Sequence, residues 1–289
     1  MSQLHVIVEV MPSQVVLARG ELTESHAGEG GGGDVLAALR GDATRRAVVD
    51  PGFAGGLREW LEDGLCDLEA DPERPCIVTK QVLRDALDGR APGPADAAVT
   101  KPLALGAMVD ALFRQLVTTG RIDDPTGEGL DALRADDRRS EIVDFVCGLS
   151  GPDGAAFEDE LETQCAIMVS RWPRLSPAWL PRTQERIAIP LGGGSIVLIG
   201  IIDLIVGAPS AGRASVGLVE VKSGRPRPED RDDLHFYALL ETLRSGAPPF
   251  RLATFYTRSG QVSTEDVGDE LLIDAVRRVL TGIGKIGAA

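Results

Sequence analysis

A chain of 289 residues that is 43% hydrophobic can bury a substantial core, while its net charge of −14 argues against a protein that coats nucleic acid indiscriminately. No run reaches the roughly 18 uninterrupted apolar residues of a membrane span, because the most apolar stretch, SIVLIGIIDLIVG, is broken by Asp203. With only His5, His26 and His235, and with Cys66, Cys76, Cys147 and Cys165 scattered without ligand spacing, a histidine-based zinc site is nearly excluded. A bound metal would have to be held by carboxylates, which points to magnesium or manganese.

The opening MSQLHVIVEVMPSQ lacks a basic segment leading into an apolar one with a cleavage site, so a cytoplasmic protein is expected. Residues 2–19 alternate as two strands broken at Pro12, and GEGGGGD (28–34) reads as a loop. Helical patterns follow at about 34–40 and 55–69, and CIVTKQVLRDAL reads as a short strand or loop entering a helix. The Pro/Gly/Ala-rich stretch 89–99 is the best linker candidate. From residue 102 the pattern is helical, with Leu105, Met108, Val109, Leu112 and Leu116 on one stripe, and helices continue at about 127–149 and 155–171. Beyond the prolines between Pro173 and Pro181 come three strand candidates, ERIAIPL, SIVLIGIIDLIVG and SVGLVEVK. A helix (PEDRDDLHFYALLETLRSG), a fourth strand (RLATFYTRSG) and a closing helix (DELLIDAVRRVLTG) complete the order. Three consecutive strands, then one after a helical crossover, predict a mixed α/β sheet flanked by helices.

Charge is uneven along this order. Residues 171–258 hold twelve basic and eight acidic side chains, a balance of +4 that leaves −18 for the remainder. A basic region inside an acidic protein suits a phosphate-binding face.

Within VEVKSG, Glu220 and Lys222 are two apart on a strand and share a face. An exposed ion pair of that kind contributes little. Asp203, however, lies mid-strand among Ile, Val, Leu and Gly, where a lone buried carboxylate is costly. It is either a structural aspartate bonded to backbone amides or a partner of Glu220 across the sheet. Two such carboxylates repel and need a counter-ion, which Lys222 or a divalent cation can provide.

GIIDLI, then VEVKSG, then a helix carrying DLHFYALLETL together resemble the PD-(D/E)XK nuclease superfamily, most closely its RecB-type branch, over roughly residues 102–282. The resemblance implies a restriction-endonuclease-like αβββαβ core in residues 96–289, with a helical insertion at about 121–180 and an N-terminal accessory region over 1–95. It implies that Asp203 and Glu220 are catalytic metal ligands, that the Val221 carbonyl is a further ligand, and that Lys222 is the catalytic amine. Tyr237 matches the tyrosine of the family's QxxxY helix, and Asp233 stands at the glutamine, where it is expected to weaken the grip on a substrate backbone. In LGAMVDALFRQL, Asp110 takes the place of the family's histidine as metal ligand and Arg114 that of its glutamate; Glu158, Glu160 and Glu162 compete with Asp110, unless they are a solvated helix face. Some relatives carry a cysteine cluster, which is missing here, so no iron–sulfur centre is expected.

The activity implied is a Mg²⁺- or Mn²⁺-dependent phosphodiesterase cutting single-stranded or duplex DNA in repair, recombination or defence. Arg225, Arg227 and Arg231 would contact the phosphate backbone, or else form a solvated basic loop. A helicase or another repair or defence protein is the expected kind of partner, since the chain has no GxxxxGK[ST] loop of its own, and no membrane is involved. The alternative is a catalytically weak or inactive nuclease-fold module that binds nucleic acid or a protein.

Overall fold

The computed structural model of the protein describes residues 35–40, 50–66, 71–91, 98–210 and 213–287. The strands expected before residue 20, the glycine-rich loop and most of the expected linker lie outside these residues. Among the described residues the order begins with helices α1 (Val35–Arg40) and α2 (Phe53–Leu65), then strand β1 (Cys76–Val78) and helix α3 (Lys80–Leu87). A helical stretch follows: α4 (Lys101–Thr119), α5 (Pro125–Arg134), α6 (Ser140–Gly148) and α7 (Gly151–Arg171). The single helix expected at 127–149 is thus two, parted by a turn at Asp137–Arg139. The remainder is β2 (Arg182–Leu191), β3 (Ile196–Val206), β4 (Gly217–Lys222), α8 (Pro228–Ser245), β5 (Arg251–Tyr256), β6 (Gln261–Asp266) and α9 (Asp269–Gly287).

The sheet is mixed, and helices cover both faces. β2, β3 and β4 form the expected antiparallel meander, and β5 joins parallel to β4 after the α8 crossover. Helix α7 leading into β2–β3–β4–α8–β5 gives the αβββαβ order. On one face α2, α3, α8 and α9 share a core with the sheet, and on the other α1 and α4 to α7 do so. Helix α4 shows why its residues form an element: the Thr100 hydroxyl accepts from the Leu103 N–H, and Gly120 ends the helix at φ 78°. Met108, Val109, Leu112 and Leu116 of its predicted stripe are buried. Among the described residues no helix is long and apolar enough to cross a membrane.

One topological feature positions everything that follows. β2 pairs along nearly the whole length of one edge of β3, from Leu191 opposite Ile196 to Arg182 opposite Ile205. The other edge is therefore shared. β1 runs parallel to β3 at Ile196–Leu198, and β4 runs antiparallel to it at Leu204–Val206. β1 and β4 thus point their C-terminal ends at each other over the middle of one strand. Residues 76–87 lie on the N-terminal side of the boundary expected at 95, yet β1 is a strand of this sheet and α3 packs against α9.

Candidate active site

The gap between β1 and β4 is where the carboxylates collect. Backbone pairing of β3 with β4 stops at Leu204 opposite Val219, one step before Asp203 would meet Glu220. Asp203 instead turns its carboxylate to the partner strand, and Oδ2 accepts from the Val221 N–H at 2.7 Å. The same residue is skipped on the β2 side. Gln184 lies between Thr183, which faces Leu204, and Glu185, which faces Ile202, and it takes a left-handed φ of 54°. Non-glycine residues held there store backbone strain and cluster at functional sites. The freed side chain crosses to α4: Gln184 Nε2 donates to Asp110 Oδ1 at 2.7 Å and reaches Asp203 Oδ1 at 3.4 Å.

Burial raises Asp203 well above the ordinary carboxylate range, and repulsion from Glu220 and Asp110 adds to it against the Val221 hydrogen bond. Asp110 is raised as well, first by burial and further by Glu220, while Arg114 and Arg139 pull the other way. Asp203, Glu220 and Asp110 therefore form one electrostatic unit.

Cations face it from the gap. Lys222 Nζ lies 3.0 Å from Glu220 Oε1 and 3.0 Å from Asp233 Oδ2. Burial disfavours its charge and a neighbouring lysine, Lys80, repels it, but Glu220 and Asp233 together outweigh both, and its affinity for the proton rises. A second lysine arrives from the N-terminal end of α3: Lys80 Nζ donates to Glu220 Oε1, lies 3.6 Å from Asp233 Oδ2, and sits 4.8 Å over the Tyr237 ring. One turn on, Arg84 bonds Asp233 Oδ1. Burial opposes the ionisation of Asp233, yet Lys80 and Lys222, with the Arg84 hydrogen bond, hold it below the usual aspartate range.

Lys80, Arg84 and Gln184 are the residues that sequence reasoning missed. KQVLR carries no signature apart from Lys80 and Arg84 being one turn apart, and the placement of Gln184 depends on a backbone twist. The other expected site residues have these surroundings. Asp233 and Tyr237 are each 3% exposed, Asp233 held in ion pairs beneath α3 and Tyr237 beneath Lys80 and against β3. Arg231 is engaged by both oxygens of Glu265 on β6. Arg227 joins the N-terminal cap of α8, its N–H donating to Asp230 Oδ2 at 2.9 Å, and Arg225 is exposed in the loop after β4. Of the competing acids on α7, Glu158 and Glu162 are exposed, and Glu160 accepts from Gln164 at 2.8 Å and lies 3.8 Å from Arg258.

Among the described residues no three His, Cys, Asp or Glu side chains already close around a common cation position. The carboxylates are held instead by the Gln184 amide, the Val221 N–H and the two lysines. The donor set nevertheless fits a hard divalent ion. Glu220 Oε2 is fully buried with no hydrogen-bond partner, an expensive state that a cation would relieve, as it would the repulsion raising Asp203 and Asp110.

No curated protein matches the chain significantly. Among similar solved structures is one titled "Crystal structure of SSO0001", 11% identical over 79% of this chain and 83% of that one, with a TM-score of 0.29. At that score too little geometry superposes for one chain to inform the other. The profile of the PD-(D/E)XK nuclease superfamily, by contrast, matches residues 82–281, a span that runs from α3 to α9 and takes in β2–β3–β4–α8–β5. The chain belongs to the PD-(D/E)XK nuclease superfamily.

Proposed function

We propose that this chain is a metal-dependent nuclease of the RecB-type branch that hydrolyses DNA phosphodiester bonds in repair, recombination or defence. The observation that carries the reading is the β3–β4 fork, where the pairing of the two strands ends one step before Asp203 and Glu220, and Lys222 stands 3.0 Å from Glu220 Oε1. Asp203, Glu220 through its free Oε2, Asp110 and the Val221 carbonyl would hold Mg²⁺ or Mn²⁺. The bound ion would polarise a phosphoryl group and acidify a water.

The remaining work falls to side chains already in place. Lys222, mostly buried and kept charged by Glu220 and Asp233, is suited to donate to a phosphoryl oxygen as negative charge develops there. The Val221 N–H fixes one oxygen of Asp203, and Gln184 orients Asp110 against it. Arg225 and Arg227, on the exposed loop leaving β4, would meet the phosphate backbone, and Arg231 would do so only by exchanging Glu265 for phosphate.

The test is a Mg²⁺ and Mn²⁺ cleavage assay on single-stranded, duplex and branched DNA, with Asp203→Asn and Lys222→Ala run alongside. Metal-dependent cleavage by the wild type that both variants lose is the expected result. Equal activity in all three proteins would overturn the mechanism. DNA binding without any cleavage would favour an inactive nuclease-fold module instead.

A further inference from the structure

We propose that Lys80 is a second catalytic lysine, standing where a second divalent cation would otherwise be needed, so that this site works with a single metal ion. The inference rests on the nuclease reading and deepens it. Sites that use two metal ions need carboxylate oxygens free to bridge them. Here Glu220 Oε1 is taken by both Lys80 and Lys222, and Asp203 Oδ2 is taken by the Val221 N–H. Glu220 Oε2 is the one oxygen of that pair of residues left buried without a partner. That arrangement leaves room in the carboxylate set for one ion and fills the neighbouring position with a tethered ammonium.

Lys80 is held in that position. The Thr79 hydroxyl caps α3 by accepting from the Val82 N–H at 3.3 Å. Leu83 packs onto Gly282 of α9, where a methyl group would force its Cδ1 to shift, and Lys285 Nζ donates to the Leu87 carbonyl at 2.7 Å. The Tyr237 ring lies beneath the ammonium. At 28% side-chain exposure Lys80 is more open than Lys222, at 17%, so its ammonium can reach an incoming phosphate. Its role is electrostatic: Nζ donates to a non-bridging oxygen of the scissile phosphate, keeps its proton, and balances the charge gained there. A purely structural lysine would balance Glu220 and leave the reaction rate at saturating DNA untouched.

The experiment compares wild type, Lys80→Ala, Lys80→Arg and Lys222→Ala. Mn²⁺ binding is followed by isothermal titration without DNA, and cleavage is followed in single turnover. The wild type should bind one Mn²⁺ and Lys80→Ala two, because the ammonium filling the neighbouring position is gone and Glu220 Oε1 keeps only one of its two lysine partners. The rate of Lys80→Ala at saturating DNA should fall by about 100-fold with little change in DNA affinity. High Mn²⁺ should restore part of that rate in Lys80→Ala but not in Lys222→Ala, and Lys80→Arg should keep more of it than Lys80→Ala. Two Mn²⁺ ions in the wild type, an unchanged stoichiometry in Lys80→Ala, or an unchanged rate would each overturn the proposal. Should Lys80→Ala not fold, Lys80→Gln carries the same comparison. A wild type that cleaves nothing would defeat the nuclease reading itself, whereas a wild type that cleaves no faster than Lys80→Ala defeats only the role given to Lys80.

Discussion

The Gln184 side-chain amide donates to Asp110 Oδ1 at 2.7 Å from a residue whose own backbone is left-handed, at φ 54°. A strand residue is thereby turned out of its ladder to tie a helix carboxylate to the sheet. Gln184→Gly should relieve the strain and Gln184→Ala should keep it, so the alanine variant should unfold about 1 kcal/mol more easily than the glycine variant. Both should cleave more slowly than wild type, because both lose the amide. Thermal unfolding and single-turnover rates check the pair, and an alanine variant as stable as the glycine one would contradict the strain.

Asp233 is bonded to Lys222 at 3.0 Å and to Arg84, with Lys80 at 3.6 Å. Beside the expectation that its charge weakens the hold on a substrate backbone stands a structural role, because three cations gather around it underneath α3. Asp233→Gln, which restores the family's more usual residue, should destabilise the fold by about 3 kcal/mol, since it leaves three half-buried cations without their shared partner. Urea unfolding measures this, and a change within a few tenths of a kcal/mol would refute it.

Gly200 lies on β3 beneath α8. A Cβ there would come within 2.7 Å of both Tyr237 Cε1 and Leu240 Cδ1. Gly200→Ala should therefore cost about 1–3 kcal/mol by overpacking. It should also disturb Lys80, whose ammonium rests on the same Tyr237 ring. Calorimetry of the variant tests the first claim, and its cleavage rate tests the second.

Glu265 accepts from Arg231 and lies 2.9 Å from His235 Nε2. Burial opposes its ionisation, but the bond from Arg231 and then that from His235 hold its carboxyl down to about 2. A lowered folded value means that the contribution is fully present above the ordinary glutamate range of about 4.3 and is lost as pH falls from there toward 2. The difference in melting temperature between wild type and Glu265→Gln should therefore be largest near pH 7 and shrink below pH 4. A difference that is constant with pH would show that Glu265 acts through packing alone.

Much of the fold was legible because its elements carry their own periodicity. The apolar run around Asp203 reads as an interior strand, and the stripe from Met108 to Leu116 reads as one helix face. Strand β6 was missed because its two faces are largely exposed and polar, so QVSTED shows no apolar alternation. At the site, Asp203, Glu220 and Lys222 were legible because a short motif on two adjacent strands reports its own neighbours. Lys80 lies 140 positions from Glu220, and local sequence carries no record of such a meeting. Only the sharing of one edge of β3 by β1 and β4 brings them together.

That shared edge also sets when the site can exist. During synthesis β1 and α3 emerge long before β4, so the pair formed by Lys80 and Glu220 must wait for a loop of more than a hundred residues to close. A growing chain that has reached the end of α7 still holds neither Glu220 nor the strand that delivers it. Any chemistry at this site is thus tied to completion of the sheet.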